Sequence, residues 1–320
     1  MRFKMLPVPV CRMLHSSILL LCGSLLLSCS TAPDPPKAST EKKNRAAEYT
    51  VAGNSYFNEG RYTQALQFFN LALNDNISVD NEPGIIRSYN SIGKVYLAAG
   101  YLDEAEQNFR KAVQRAEALQ DPHLLAHSKT NLAELSLERQ QVEQATALLE
   151  EAMSSVDGLD EKDSARDLAI IYHNVGTVQK KRGMLDQADA YFRKALAINL
   201  ELEQYEEIAS NYYMIASIHS KRGEYPAARE SIDLALSYDK RVENSLGIAK
   251  DLFARGMIEQ KAGDDRAAFQ SFEKSFEVYR AMYQYSSAAA VLPHLIALAE
   301  RLGENEEARR FRQLQQQLEE

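Results

Sequence analysis

Residues 172–196 of this chain read YHNVGTVQKKRGMLDQADAYFRKAL, and the pattern of side chains on either side of Gly183 decides the fold. Apolar and small residues recur at the three- and four-residue spacings of a helix face before and after that glycine: Tyr172, Val175 and Gly176, then Ala188, Phe192, Ala195 and Leu196. Glycine adopts the left-handed conformation that ends a helix at little steric cost. The stretch therefore predicts a helical hairpin, two antiparallel helices joined at Gly183.

The same pattern recurs along the chain with a step of 40 residues, or 43 at one place. The glycine position is occupied by Gly60, Gly100, Gly183, Gly223, Gly263 and Gly303, with Gln140 in the third unit. An alanine stands five residues after each of these positions, and in six units a small residue stands seven residues before it. Small residues on facing helices let the two backbones approach closely, so we expect about seven stacked hairpins between residues 45 and 320.

This layout resembles the tetratricopeptide repeat, with tyrosines such as Tyr89 and Tyr212 where that family often has tryptophan. The resemblance covers Arg45–Glu320 and implies an all-α fold, a right-handed alpha-solenoid whose first helices line a concave groove. Forty residues exceed the family's usual length of about 34. We therefore expect longer helices rather than long loops, as in the kinesin light chain.

Three places depart from the repeat. The third unit has Lys129 in the tyrosine position and Gln140 in the glycine position. A three-residue insertion follows at residues 157–163, and we interpret it as a hinge. The last unit contains Pro293 within its first helix and ends in a strongly polar segment, which is typical of a solvating cap.

Residues 1–28 have the pattern of a bacterial lipoprotein signal peptide. Three cations and no acid precede an apolar run at residues 18–27, which is shorter than the roughly 20 residues of a membrane-spanning helix. The run ends in LLSC at residues 26–29, which resembles the lipobox and implies lipidation of Cys29, typically with palmitate among its acyl chains. Ser30 after the cysteine favours the outer membrane, facing the periplasm. The alternative is an ordinary secretory signal with an incidental cysteine.

Residues 29–44 are predicted to be a lipidated cysteine and a flexible tether. Residues 30–44 read STAPDPPKASTEKKN, with three prolines and no large apolar side chain. Such a segment buries too little apolar surface to offset its ordering entropy.

The remaining sequence contains no constellation for catalysis or metal binding. All three cysteines lie in the first 29 residues, which excludes a disulfide framework, a cysteine-ligated zinc site and a cysteine nucleophile from the repeats. The formal charge of −8 argues against a nucleic-acid-binding protein. His123 and His127 stand four residues apart, but no third ligand is suggested. We expect neither an enzyme nor a bound metal or cofactor.

The resemblance also implies which residues line the groove. Asn131 and Asn174 occupy the sixth place of units three and four, where related repeats hold asparagines that bind the backbone of an extended peptide. Tyr213 and Phe253 occupy the fifth place, where they are either apolar anchors for a partner or ordinary packing residues.

A series of cations stands two residues before successive glycines. Its members are Lys181, Lys221, Lys261 and Arg301. They either line the groove and attract an acidic partner segment, or complement the dipoles at the helix C-termini.

These features predict a lipid-anchored scaffold that binds protein partners in a complex of the bacterial cell envelope. Outer-membrane assembly, pilus or secretin biogenesis and a transporter-associated role all fit, and a homo-oligomer is compatible with the sequence. The alternative is a small-ligand-binding accessory component of a membrane transporter.

Overall fold

The repeat pattern becomes a series of helical hairpins in the computed structural model, which describes residues 37–319. These residues form fourteen α-helices and no strand. The helices are α1 Lys37–Asn58, α2 Tyr62–Ser78, α3 Glu82–Ala98, α4 Leu102–Leu119, α5 Pro122–Glu138, α6 Val142–Val156, α7 Glu161–Lys181, α8 Leu185–Glu201, α9 Tyr205–Arg222, α10 Tyr225–Arg241, α11 Ser245–Lys261, α12 Asp265–Ala281, α13 Tyr285–Arg301 and α14 Asn305–Glu319. Each odd-numbered helix and the even-numbered helix after it form one hairpin, so the prediction of an all-α solenoid of about seven hairpins is confirmed.

The turn inside each hairpin has the left-handed residue that the sequence predicts. The six glycines at this position have φ between +69° and +84°. Gln140, in the third unit, has φ +61° without being a glycine. A second set of left-handed residues, which are not glycines, marks turns between hairpins: Asp80, Gln120, Glu203, Glu243 and Tyr283. Sequence reasoning missed this second set because these residue types do not favour the left-handed region.

The small residue of each first helix lies under a large side chain of the second helix. A Cβ added to Gly93 would lie 2.4 Å from Cε1 of Phe109, and Gly53, Gly176 and Gly256 face phenylalanine rings in the same way. In the two units with alanine instead of glycine, the facing position holds an aliphatic residue: Leu149 opposite Ala133, and Ile232 opposite Ala216. The choice of glycine or alanine therefore follows from whether an aromatic ring covers it.

Consecutive hairpins stack so that the first helices form the inner layer. α3 contacts α5, α5 contacts α7, and α9 contacts α11, in addition to the contacts of each helix with its neighbours along the chain. Helices that contact one another across a repeat lie on the side where the stack is tighter. The first helices thus line the concave side, as the resemblance implies.

The start of the solenoid differs from the sequence prediction. α1 begins at Lys37, so residues 37–44, which were predicted to belong to the flexible tether, are helical. These residues contain no proline or glycine, and Pro35-Pro36 directly precede them, a composition that favours a helix beginning at this point. Cys29 and the predicted signal peptide lie outside the described residues. Among residues 37–319, no helix is both long and apolar enough to cross a bilayer.

The insertion and the last unit keep the hairpin plan. The insertion at residues 157–163 forms the α6–α7 turn and lengthens α7 to 21 residues, and its role as a hinge stays a prediction. Pro293 lies inside α13, which continues to Arg301. In α14, Phe311 is fully buried against Phe269 and Phe276 of α12, whereas most of the other side chains of α14 are exposed.

Candidate functional site

Two adjoining cavities lie on the inner side of the first helices. The smaller, of about 260 Å³, is lined mainly by α3, α5, α7 and α9. The larger, of about 540 Å³, is lined mainly by the end of α1 and by α9 and α11. They share Glu134, His173, Ser210 and Met214 as lining residues, so they form one continuous inner space.

Three asparagines line the smaller cavity, and two of them are those that the sequence predicts. Asn131 is 2% exposed, and its buried Nδ2 has no hydrogen-bond partner among the described residues. Asn174 Nδ2 donates to the carbonyl oxygen of Ile170 at 3.0 Å. Asn211, which the sequence analysis missed, lies 3.0 Å from His173 Nδ1 through its Oδ1. It stands at the third place of its unit, where other repeats also have buried polar residues.

The lining of the two cavities is acidic. Six lining residues carry carboxyl groups and two carry ammonium groups: Glu134, Glu138, Glu206, Glu207, Asp239 and Asp251 against Lys94 and Lys250. None of these eight side chains forms an ion pair within the described part of the chain. Burial, and next Glu207, raise the pKa of Glu206. The inner space therefore carries uncompensated negative charge.

Asp239 and Asp251 form a buried carboxyl pair at the joint between α10 and α11. They are 5% and 3% exposed and are hydrogen-bonded to each other, which requires a proton on one of them. Asn244 Nδ2 donates to Asp239 Oδ1 at 3.0 Å, and Gly247 leaves the space that the Asp239 carboxyl occupies. Burial raises the pKa of both groups, and for Asp251 the charge of Asp239 raises it further.

The two predicted aromatic residues have different surroundings. Tyr213 lines the larger cavity, and burial and the neighbouring Asp251 raise its pKa. Phe253 lines neither cavity; its ring packs edge-on against Phe272 and His294, each at 5.3 Å between centroids. Of the two readings given above for Phe253, the packing one describes its position.

The four cations of the predicted series lie outside the cavities, exposed at the last turns of α7, α9, α11 and α13. Lys181 Nζ donates to the carbonyl oxygen of Leu137 at the end of α5, 2.7 Å away. Lys261 Nζ lies 3.5 Å from Ser220 Oγ, and Arg301 pairs with Asp265. The Lys181 contact is of the kind that the helix-dipole reading describes.

A neighbouring lysine that the sequence analysis missed is more deeply buried. Lys180 Nζ lies 3.1 Å from the Met214 sulfur. Burial, followed by the charges of Lys221 and Lys181, lowers the pKa of Lys180 to about 8. One residue along a helix turns the side chain by about 100°, so Lys180 lies beside the inner space and Lys181 at its rim.

The turn between α1 and α2 closes one side of the larger cavity. Asn58 Nδ2 donates to Glu206 Oε1 at 2.8 Å, and Gln284 Nε2 donates to the carbonyl oxygen of Gly60 at 2.5 Å. The contacting residues are 148 and 224 positions apart in the sequence. The first hairpin thus meets both α9 and the turn before α13. We call these two hydrogen bonds the seam.

The histidine pair does not converge on a common point. His123 Nδ1 lies 2.6 Å from Asp167 Oδ2. Burial lowers the pKa of His127 to about 3, and the nearby cations Lys94, Arg87 and Arg166 lower it further. Within residues 37–319 no group of three potential ligands is arranged to hold a metal ion.

A larger groove of about 840 Å³ lies between α10 and the hairpin of α11 and α12. Its buried carboxylate, Glu259, is fully engaged: Arg255 Nε lies at 3.0 Å and Ser271 Oγ donates at 2.6 Å. The inner cavities differ because they contain buried polar atoms that have no partner, and such atoms favour a ligand.

Comparison with known proteins agrees with the repeat architecture. Models described as tetratricopeptide repeat match residues 45–118, 124–201 and 209–241, together more than half of the chain. No curated protein matches the chain in sequence. The last two hairpins, α11 to α14, lie beyond the matched segments, yet they have the same helices and turns.

Several solved structures share the fold at low sequence identity. BtubC (BKLC) from P. vanneervenii has a TM-score of 0.51 and 19% identity over 76% of this chain and 92% of that chain. A Rap protein complexed with competence and sporulation factor has a TM-score of 0.63 and 17% identity over 86% and 75%. The Rap conjugation gene regulator of plasmid pLS20, in complex with the Phr* peptide, has a TM-score of 0.64 and 17% identity over 93% and 81%.

Proposed function

Because this chain belongs to the tetratricopeptide-repeat family, we propose that it is an interaction scaffold that holds a peptide segment of a partner protein in its inner cavities. The observation that carries the proposal is Asn131, whose Nδ2 is buried without a partner beside Asn174 and Asn211. An amide donor in this position is satisfied by a carbonyl oxygen of a bound peptide. One structure with the same fold, the Rap conjugation gene regulator, is itself a complex with a peptide.

The proposal includes an address at the bacterial cell envelope. The basic segment, the apolar run and the cysteine at residues 1–29 support lipidation of Cys29 and anchoring to the outer membrane on its periplasmic side. The peptide segment then belongs to another component of an envelope complex, such as one for outer-membrane assembly, pilus or secretin biogenesis or transport. Labelling with a palmitate analogue tests the anchor: we expect incorporation into the wild-type protein and none into Cys29→Ala.

Photo-crosslinking in cells tests the cavity. Ser210 lines both cavities and is exposed, so a benzoylphenylalanine at this position places the reactive group in the inner space. The matched control carries the same group at Glu117, an exposed residue of α4. We expect a discrete crosslinked partner from position 210 and none from position 117. Equal crosslinking from both positions, or none from either, contradicts the proposal.

A second candidate function is binding of a small ligand for a membrane transporter. The observation that favours it is the volume of the larger cavity, about 540 Å³, which lies within the range of small-molecule sites. A ligand that binds only the folded state raises the melting temperature. A thermal-shift screen of periplasmic metabolites against the full chain, in which one compound stabilises the wild type but not Asn131→Leu, supports this candidate over the peptide scaffold.

A further inference from the structure

We propose that the partner segment is basic, and that a lysine or arginine side chain of that segment places its cationic group at the carboxyl pair Asp239 and Asp251, beside Glu206. This inference rests on the proposed function and names the chemical class of the ligand. It differs from the acidic segment that the exposed cation series favours in the sequence.

The charge of the inner space is the first argument. Six carboxyl groups and two ammonium groups line the two cavities, and none of them is engaged in an ion pair among the described residues. The cations of the predicted series lie at the exposed rim, where three of the four contact the protein itself. A partner that enters the cavities therefore meets negative charge, and complementarity favours a cation.

Comparison of the joints between repeats is the second argument. Asp239 and Asp251 occupy the last turn of a second helix and the third place of the next first helix. One repeat step apart, the equivalent pairs of positions hold only uncharged residues: Asn76 and Ser88, Ala116 and Ser128, Val156 and Ile171, Asn199 and Asn211, and Tyr279 and Val291. Stacking of the repeats therefore does not require carboxyl groups at this joint.

The first joint shows how closely an uncharged pair reproduces the same arrangement. Asn76 Nδ2 donates to Ser88 Oγ at 3.3 Å, and Asn81 Nδ2 donates to Asn76 Oδ1 at 2.7 Å. Asn244 contacts Asp239 in the same way, and both joints have a glycine at the next contact. The joint that lines the larger cavity is the one with carboxyl groups, and this placement indicates a ligand rather than a packing role.

A cationic side chain also completes the chemistry of the carboxyl pair. Without a cation, two buried carboxyl groups in contact hold a proton between them. An ammonium or guanidinium group that approaches the pair replaces this proton, and the proton passes to the solvent. Binding is therefore coupled to proton release, a property that a purely structural carboxyl pair does not have.

Asn131 distinguishes a peptide from a simple polyamine. Its unpartnered Nδ2 is a donor and needs an acceptor on the ligand. A protonated polyamine has donors alone, whereas a peptide supplies carbonyl oxygens as well as basic side chains. The acid-rich lining and the buried amide donor are satisfied together by a basic peptide segment.

The test uses the full chain, purified from membranes in detergent, and three pools of fluorescein-labelled octapeptides. Alternate positions carry lysine or arginine in the first pool, aspartate or glutamate in the second, and serine or glutamine in the third. Fluorescence anisotropy at pH 7 and low salt measures binding. We expect the basic pool to bind at least tenfold more tightly than the other two.

The variant Asp239→Asn with Asp251→Ser reproduces the uncharged first joint and is expected to weaken binding of the basic pool at least tenfold without lowering the melting temperature. Calorimetry in two buffers of different ionisation enthalpy should detect proton release near pH 7 for the wild type and none for this variant. Glu134→Gln removes a carboxylate from the opposite wall without touching the joint and should also weaken binding. Glu143→Gln, the matched control on the outer helix α6, should not.

The outcomes separate this inference from the proposed function. Equal or tighter binding of the acidic or neutral pool, or unchanged binding by the joint variant, overturns the basic specificity and leaves the peptide scaffold standing. Spermidine that competes as well as the basic pool and loses affinity in the joint variant overturns the peptide in favour of a polyamine. If none of the three pools binds, both the inference and the proposed function fail.

Discussion

The pairing of Gly93 with Phe109 predicts a large energetic coupling between the two positions. Phe109 is fully buried, and a Cβ on residue 93 would lie 2.4 Å from its Cε1 and 2.6 Å from its Cδ1. Gly93→Ala therefore overpacks the hairpin, at a cost of about 1–3 kcal/mol, although alanine favours a helix by about 1 kcal/mol over glycine. Phe109→Leu alone removes part of a buried ring and should destabilise the protein by about 2 kcal/mol.

The double variant should be more stable than Phe109→Leu alone, because the alanine then gains its helical preference without a clash. The difference between the observed and the additive free energy of unfolding should be about 2 kcal/mol, measured by urea denaturation followed by circular dichroism. The natural pair Ala133 and Leu149 is the precedent, and its reverse exchange, Ala133→Gly with Leu149→Phe, is the matched control. Additivity within about 0.5 kcal/mol in both cycles would refute the ring as the reason for the glycine.

Three further predictions concern single features of the solenoid. Gln140 has φ +61°, so Gln140→Gly should raise the free energy of unfolding by about 1 kcal/mol in urea denaturation, and an unchanged value would contradict backbone strain at this turn. The folded state raises the pKa of Asp239 and Asp251 and so binds more protons than the unfolded state. Stability should therefore fall as pH rises above about 4 and through neutrality, and Asp239→Asn with Asp251→Ser should flatten this fall in melting temperature; parallel pH profiles would argue against it. Removal of both seam donors, by Asn58→Ala with Gln284→Ala, should speed amide hydrogen exchange in the α1–α2 turn and leave exchange in α5 unchanged, whereas equal acceleration in both would show a global effect.

What the sequence predicts well is what depends on neighbours along the chain. Spacings of three, four and about 40 residues predict the hairpins, the left-handed glycines and the inner position of Asn131 and Asn174. The start of α1 was predicted less well, because a proline-rich composition was extended to residues 37–44, which contain no proline.

The parts of the site that sequence reasoning missed depend on distant neighbours or on a single step along a helix. Lys180 and Lys181 are adjacent in the sequence, yet one contacts Met214 beside the inner space and the other contacts a carbonyl oxygen at the rim. A repeat step alone favoured the rim position, since it recurs, whereas Lys180 does not. The acidic lining likewise combines residues of four helices, which no local pattern brings together. A comparison of equivalent joint positions was the available signal for Asp239 and Asp251.

The energetics of the seam bear on how a partner reaches the inner space. Two neutral or singly charged hydrogen bonds hold the α1–α2 turn against α9 and the turn before α13, and each contributes on the order of 1 kcal/mol. Separation of two stacked hairpins instead exposes several fully buried side chains, such as Ile208 and Ile218, at about 2 kcal/mol each. Opening at the seam is therefore the less costly route to the larger cavity. Because Asn58 donates to Glu206, this opening also frees the carboxylate that lies beside Asp239 and Asp251.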